Sequence, residues 1–256
     1  MKHFARKRFG QHFLEDEGVL QQIGSAVRPR ADDQLLEIGP GHGALTAQLF
    51  GSSRRYQAVE IDRDLIAPLL ARFHGIELHS ADILKVDVDR LLDPPGWRIV
   101  GNLPYNITTP LLMKLFESIG AITDMHFMVQ RELGARLAAE PGTKAWGRLT
   151  VITQYHCEVE ALFDVPPEAF VPPPKVHSQV LRLVPRSSPQ QVDVHALGQV
   201  LRVAFSGRRK RIANALKRFE VDWDRAGVDA GARADQLSVQ QYVDITNVVA
   251  SSPGER

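Results

Sequence analysis

Four short stretches of this 256-residue sequence carry side chains fit for chemistry: EIGPGHG (37–43), VEID (59–62), SADIL (80–84) and GNLPY (101–105). Glycines at 39, 41 and 43 allow a tight turn and close backbone approach to a ligand, with the N-terminus of the next helix pointed at it. Glu60 follows about 20 residues on, the spacing at which a carboxylate meets a ribose diol in nucleotide-binding sheets. Asp82 can accept a hydrogen bond from an amino group such as that of adenine. Asn102 offers a side-chain carbonyl and Tyr105 a flat aromatic face. Each signal has a plain structural reading as well: a glycine turn, a solvated strand end, or an Asn-Leu-Pro turn closing a buried strand. Their common position is what argues for a site.

Each of the four closes an apolar run. QLLEI (34–38), RYQAVEI (55–61), GIELHSAD (75–82) and WRIVGNL (97–103) read as strands, with helical stretches between them, for example 64–73. That alternation predicts a parallel sheet with crossover helices, whose ligands lie outside the carboxyl ends of the strands. Further on, TPLLMKLFES reads as helix, 122–130 as a buried strand and RELGARLAAE as helix. RLTVITQYHCEVEALF (148–163) is apolar and β-branched and is expected as a strand. Paired with 176–185 across the proline-rich VPPEAFVPPPKV, it completes seven strands in a mixed sheet. Composition changes after Pro185: SSPQQVD reads as a linker and the remainder has helical periodicity. The expected domains are therefore 1–187 and a small helical domain over 188–256, with a frayed tail SSPGER.

Composition fits a globular protein, with 44% hydrophobic and 24% charged residues. The single Cys157 excludes an internal disulfide framework and suits a reducing compartment. The histidines lack ligand spacing, so no metal is expected. The absence of a long apolar run leads us to expect a cytoplasmic protein without membrane insertion. Net charge is only +1 but unevenly spread. Lys2, Arg6, Lys7 and Arg8 precede the first acid, Glu15, and the acid-free interval between Asp193 and Glu220 carries Arg202, Arg208, Arg209, Lys210, Arg211, Lys217 and Arg218. Such clusters can present a positive surface to nucleic acid.

These stretches together resemble the ribosomal RNA adenine N6,N6-dimethyltransferase family. The resemblance rests on KRFGQHFLED (7–16), LEIGPGHGALT (36–46), VEID, GNLPYNITTPLL (101–112), 128–151, VPPEAFVPPPKVHSQVLRL (165–183) and AFSGRRKRIANAL (204–216). It implies an α/β, Rossmann-like S-adenosylmethionine-dependent methyltransferase with a seven-stranded, mostly parallel sheet and a small C-terminal helical domain that binds RNA. It implies a cytoplasmic monomer that dimethylates two adjacent adenosines near the 3' end of 16S ribosomal RNA within the immature small subunit. By the same resemblance His12 and Leu14 close over S-adenosylmethionine, Gly39 approaches its methionine part, Glu60 holds the ribose, and Asp82 and Asn102 complete the site.

The chemistry then expected of GNLPY is amine positioning. The adenine N6 lone pair is delocalised into the ring, and two acceptors on its hydrogens favour the pyramidal nitrogen needed for attack on a methyl group. Asn102 supplies one and, by the resemblance, the Pro104 carbonyl the other. Tyr105 stacks on the base, and Phe170 resembles the family's aromatic on the opposite face. No strong general base is required. Lys7, Arg8, Arg208, Arg209, Lys210 and Arg211 are the expected phosphate contacts. Three rivals compete with this reading: a 23S ribosomal RNA adenine N6-methyltransferase of the antibiotic-resistance type, which shares the Asn-x-Pro-aromatic element, a non-catalytic small-subunit assembly factor, and a dehydrogenase, which leaves GNLPY unexplained.

Overall fold

The computed structural model of the chain describes residues 11–251; Lys7, Arg8 and the tail beyond 251 lie outside the described residues. The chain folds as two compact units, one of residues up to Gly134 with Glu158–Pro185, the other of Ala135–Cys157 with residues from Arg186 on.

The first unit is built on a seven-stranded sheet. Its first strand in the chain is the interior β2 (Gln34–Ile38), buried along nearly its whole length. On one side β2 pairs in parallel with β3 (Arg55–Glu60), which pairs in parallel with β4 (Glu77–Ser80). On the other side come β5 (Trp97–Asn102) and β6 (Ile122–Gln130), again parallel, then β9 (Ser178–Pro185), antiparallel to β6, and β7 (Cys157–Val165) at the edge. Strands buried on both faces read as continuous apolar runs, which is why 97–103 and 122–130 are legible in the sequence. Because the chain leaves β2 first to one side and later to the other, a crevice opens at the carboxyl ends of β2 and β5.

Helices α1 (Glu17–Val27), α2 (Ala44–Leu49), α3 (Arg63–Arg72), α4 (Val88–Leu91) and α5 (Thr108–Glu117) make the connections. Asp16, Asp62 and Asp87 cap α1, α3 and α4 by accepting backbone N–H bonds from the first turns. Beneath α1 the side chain of Arg98 is nearly buried. It forks onto Asp124 with two 2.8 Å bonds, meets Asp33 at 2.8 Å, and donates to the carbonyls of Val27 and Arg28 at the end of α1. One guanidinium therefore satisfies helix-end carbonyls and joins β5, β6 and the approach to β2.

A second, smaller sheet has no counterpart in the sequence pattern: β1 (Phe13–Leu14) runs antiparallel to β8 (Phe170–Val171), setting Phe13 opposite Val171 and Leu14 opposite Phe170. Two-residue strands carry no periodicity that a sequence can display.

The second unit is helical. It contains α7 (Arg148–His156), α8 (Val194–Ser206), α9 (Ile212–Ala215), α10 (Trp223–Ala226) and α11 (Val239–Ser251), with α6 (Arg131–Leu137) leading into it from the first unit. Leu197, Val200, Leu201, Tyr242, Val243 and Ile245 form its buried centre. Two expectations are corrected here. Residues 148–156 are helix, and the edge strand starts only at Cys157. The helical unit also recruits residues 135–157 instead of beginning after 187. The physical reason is local satisfaction. Thr150 accepts from the Gly147 N–H at 3.2 Å and donates to the Arg136 carbonyl at 2.7 Å, while Gln154 donates to the carbonyls of Leu137 and Ala139. Packing and these bonds override the β preference of the Thr-Val-Ile-Thr run. Among the described residues no helix is long and apolar enough to cross a membrane.

Candidate active site

The carboxyl ends of β2, β3, β4 and β5 do converge. They line a cleft of about 350 Å³ together with Gln11, His12 and Phe13 from the N-terminal segment. Gly39 leaves β2 at φ 71°, its N–H donating to the Val59 carbonyl at 2.9 Å, and a Cβ built on it meets nothing within 4 Å. That open space is the cradle a ligand backbone can occupy. Gly43 serves packing: at φ 77° a Cβ there would lie 2.5 Å from the ring of Phe73.

Glu60 ends β3 with 3% of its surface exposed. Its two carboxylate oxygens accept separately, one from the Gly41 N–H at 3.1 Å and the other from the Asp62 N–H at 2.8 Å. Burial raises its pKa, and those two N–H groups oppose the rise. Each oxygen keeps a lone pair for a diol. Asp82, past the end of β4, accepts from the Leu84 N–H at 3.0 Å and lies 3.9 Å from the Lys85 amine. The cleft thus has two anchored carboxylates between the apolar side chains of Ile61, Ile83 and Leu84. This set fits an adenosine: acceptors for hydroxyl and amino groups, apolar surface for the base, and an open glycine turn for the remainder.

At β5 the arrangement is more specific. Asn102 Nδ2 donates to the His12 carbonyl at 2.9 Å, which leaves Oδ1 as the acceptor of that side chain. Tyr105 shares a 3.0 Å hydroxyl bond with Ser178. The rings of His12 and Tyr105 are 6.1 Å apart and inclined by 25°, and His12 Nδ1 donates to the Pro172 carbonyl at 2.7 Å.

The structure brings His12, Gly39, Glu60, Asp82, Asn102, Pro104 and Tyr105 to one cleft. Phe170, Leu14 and Arg208 are placed otherwise than expected, and Pro104 lines the cleft with its carbonyl already engaged. Phe170 is 2% exposed, packs in the core and does not line the cleft, because its strand pairing with β1 directs it inward beside Leu14 and Val165. Leu14 is likewise a core residue and lines a neighbouring cavity. The Pro104 carbonyl is not free: it accepts from the Ile107 N–H at 3.1 Å and the Thr108 hydroxyl at 3.3 Å. In the helical unit Arg208 is committed to Asp235 at 3.3 Å and to the carbonyls of Thr143 and Lys144, whereas Arg209, Lys210 and Arg211 are exposed.

Two buried groups differ from the sequence expectation: Glu37, for which there was none, and His126, one of the scattered histidines expected at the surface or locally satisfied. The neighbouring cavity, about 470 Å³, lies against α1 and is lined by Glu37, His126 and Asn102. Glu37 accepts from Thr46 Oγ1 at 2.6 Å and the Tyr56 hydroxyl at 2.7 Å. Burial nevertheless pushes its pKa up to about 7, helped by the charge of Glu60. His126 is buried with neither ring nitrogen hydrogen-bonded, and burial lowers its pKa to about 4. The available signal was a lone charged or polar residue inside an apolar strand, Glu in LLEIG and His in DMHFMV.

The sequence profile of the ribosomal RNA adenine dimethylase family matches residues 2–251. The chain is 48% identical over 255 residues to the ribosomal RNA small subunit methyltransferase A of Saccharophagus degradans, covering 96% of this chain and 95% of that one. Its counterpart in Pseudomonas aeruginosa is 48% identical over 264 residues, covering 100% and 98%. Among solved structures, a dimethyladenosine transferase from Plasmodium falciparum superposes with a TM-score of 0.81 at 24% identity, covering 91% and 96%, and shares the fold. The 23S rRNA methyltransferase ErmE gives 0.74 at 28% identity, covering 93% and 100%. By its sequence from end to end and by the fold that gathers its motifs, this chain belongs to the ribosomal RNA adenine dimethylase family.

Proposed function

We propose that this protein transfers methyl groups from S-adenosylmethionine to N6 of two adjacent adenosines near the 3' end of 16S ribosomal RNA in the immature small subunit. The observation that carries the reading is Asn102: its amide nitrogen is spent on the His12 carbonyl, so its oxygen is the acceptor between an adenosine-shaped cleft and the aromatic face of Tyr105. The names of the relatives at 48% identity favour the small subunit. ErmE, at 28% identity, keeps the 23S substrate as the second reading.

In this account Glu60 holds the ribose hydroxyls, Asp82 the adenine amino group of the cofactor and Gly39 its methionine part. His12 bounds the same cleft, and Leu14 anchors the covering segment from the core. When bound, S-adenosylmethionine supplies an electrophilic sulfonium methyl. Asn102 Oδ1 accepts one hydrogen of the target amine, turning its lone pair out of the ring plane and favouring positive charge as it develops on nitrogen. The Pro104 carbonyl becomes the second acceptor by giving up its longer bond, the 3.3 Å one to Thr108. Tyr105 holds the base by stacking, worth roughly 1–3 kcal/mol. Water can take the proton from the methylated amine, so no residue is assigned as base. Exposed Arg209, Lys210 and Arg211 contact phosphates, and Arg208 holds the 143–144 segment in place. The protein acts as a cytoplasmic monomer.

The test is methyl transfer to under-methylated small subunits and, in parallel, to protein-free 23S RNA, with nucleoside analysis of each product. Dimethyladenosine in the small subunit alone supports the proposal. Product in 23S RNA alone transfers the assignment to the second reading.

A further inference from the structure

Resting on the role just proposed for Asp82, we propose that Lys114 is a positioning residue for the adenine of the cofactor. Its ammonium, reaching across from α5, sets the turn at 82–86 so that the Asp82 carboxylate meets a 6-amino group. Asp82, Ile83 and Leu84 line the cleft beyond the end of β4. Bonds within the turn converge on Asp82. Its side chain accepts from the Leu84 N–H at 3.0 Å, and its carbonyl accepts from the Lys85 N–H at 2.8 Å and the Val86 N–H at 3.2 Å. These bonds give the turn its shape but do not fix where it sits. At its start the Ala81 N–H donates to the Glu60 carbonyl at 3.0 Å. Its far side is held from α5, where Lys114 Nζ donates to the Leu84 carbonyl at 3.0 Å across 30 residues of sequence. Leu84 is thus gripped by its N–H and by its carbonyl, and a shift of the carbonyl carries with it the carboxylate bonded to the N–H.

A lysine in the last turn of a helix is ordinarily satisfied by solvent and by the carbonyls of its own helix. Lys114 is half-buried and spends its long side chain on another element, giving up the rotamer freedom an exposed lysine keeps. Four residues on, along the same face of α5, Ser118 donates to the Asp89 carboxylate in α4 at 2.6 Å. Two side chains of one helix therefore grip the segment that follows β4. The helix is a firm support, since Leu111, Leu112, Leu115 and Phe116 are buried. Its opening turn carries another part of the cleft wall: the Ile107 N–H and the Thr108 hydroxyl both bond to the Pro104 carbonyl. Through α5 the turn that meets the cofactor base and the loop that meets the target amine share one frame, and Lys114 is the contact that ties the turn to it.

The experiment compares Lys114→Met and Lys114→Arg with the parent by calorimetry on two compounds. One is S-adenosylhomocysteine, the cofactor without its methyl group, and the other is S-inosylhomocysteine, with a 6-oxo group in place of the 6-amino group. A 6-oxo group only accepts, so the Asp82 carboxylate gains no bond from it. The parent is expected to prefer the adenosyl compound by about 30-fold, within the range of a hydrogen bond to a charged group. Lys114→Met should bind the adenosyl compound about tenfold more weakly and the inosyl compound within about twofold of the parent. Lys114→Arg restores a donor and keeps the preference within about threefold of the parent's. An equal loss for both compounds in Lys114→Met, as general loosening would give, overturns the positioning role, and so does an unchanged preference. A folded parent that binds both compounds alike overturns the role of Asp82 and that of Lys114 with it, an outcome distinct from a discriminating parent with an equally discriminating Met variant.

Discussion

The cleft has two halves made in different ways. The half proposed to hold the cofactor is held by backbone: Glu60 by the N–H groups of Gly41 and Asp62, Asp82 by that of Leu84, and Gly39 by its place at the end of β2. The half proposed to hold the substrate is held by contacts between distant segments: Asn102 on the His12 carbonyl, His12 on Pro172 and Tyr105 on Ser178. The first half follows from the turns that end parallel strands and is complete within short motifs. The second exists only after residues 11–14, 102–105 and 170–178 have met.

The sharpest way to separate the halves is pH. Glu37 lies at the cavity beside the cofactor half, and its folded pKa of about 7 is above the ordinary carboxylate value. Between those two values the folded protein keeps a proton that the unfolded chain has released. The stability this group contributes is therefore full below the ordinary carboxylate pKa and is lost as pH rises through about 7. Glu37→Gln removes the dependence. The difference in unfolding free energy between variant and parent should grow by roughly 3 kcal/mol from about pH 4.5 to about pH 7.5, measured by denaturant titration. Taking the difference cancels the opposite trend from His126 and His156, whose lowered pKa values make stability rise with pH as they lose their protons.

A paired substitution comes next. Glu60→Ala should weaken S-adenosylmethionine by roughly 1.5–3 kcal/mol, the value of hydrogen bonds to a charged group, and leave RNA affinity unchanged. Tyr105→Ala should do the reverse, costing RNA substrate roughly 1–3 kcal/mol with cofactor affinity unchanged. Calorimetry and filter binding measure the two, and a parallel loss in both would show that the halves are one unit.

The smallest effect separates two neighbouring arginines. Arg209→Gln should weaken RNA binding at all sequences and lower the slope of log K against log salt by about 0.7, with thermal stability unchanged. Arg208→Gln should lower thermal stability instead, since it frees Asp235 and the 143–144 carbonyls.

The same division explains what the sequence could reveal. Strand-end motifs located Gly39, Glu60, Asp82 and Asn102 because a parallel sheet places such ends side by side, and strand order makes them neighbours without further information. Phe170 and Arg208 are placed otherwise than expected because their surroundings depend on partners, Leu14 opposite Phe170 and Asp235 on the guanidinium, and the bonds on the Pro104 carbonyl from Ile107 and Thr108 depend on partners too. The helix over 148–156 was hidden for a related reason, since Thr150 and Gln154 tie it to the carbonyls at 136, 137 and 139. Local pattern was legible, and partnership across the chain was not.

The central claim is that the Asn102 carbonyl activates the target amine where the two halves meet. Single-turnover methyl transfer from labelled S-adenosylmethionine to under-methylated small subunits tests it most directly, comparing the parent with Asn102→Ala at saturating cofactor and subunit. Removing one positioned hydrogen-bonding group from such a site costs about 100-fold in rate. A loss of that size, with both components still bound, is the predicted result. A variant that binds both and methylates at a rate close to the parent's would contradict it.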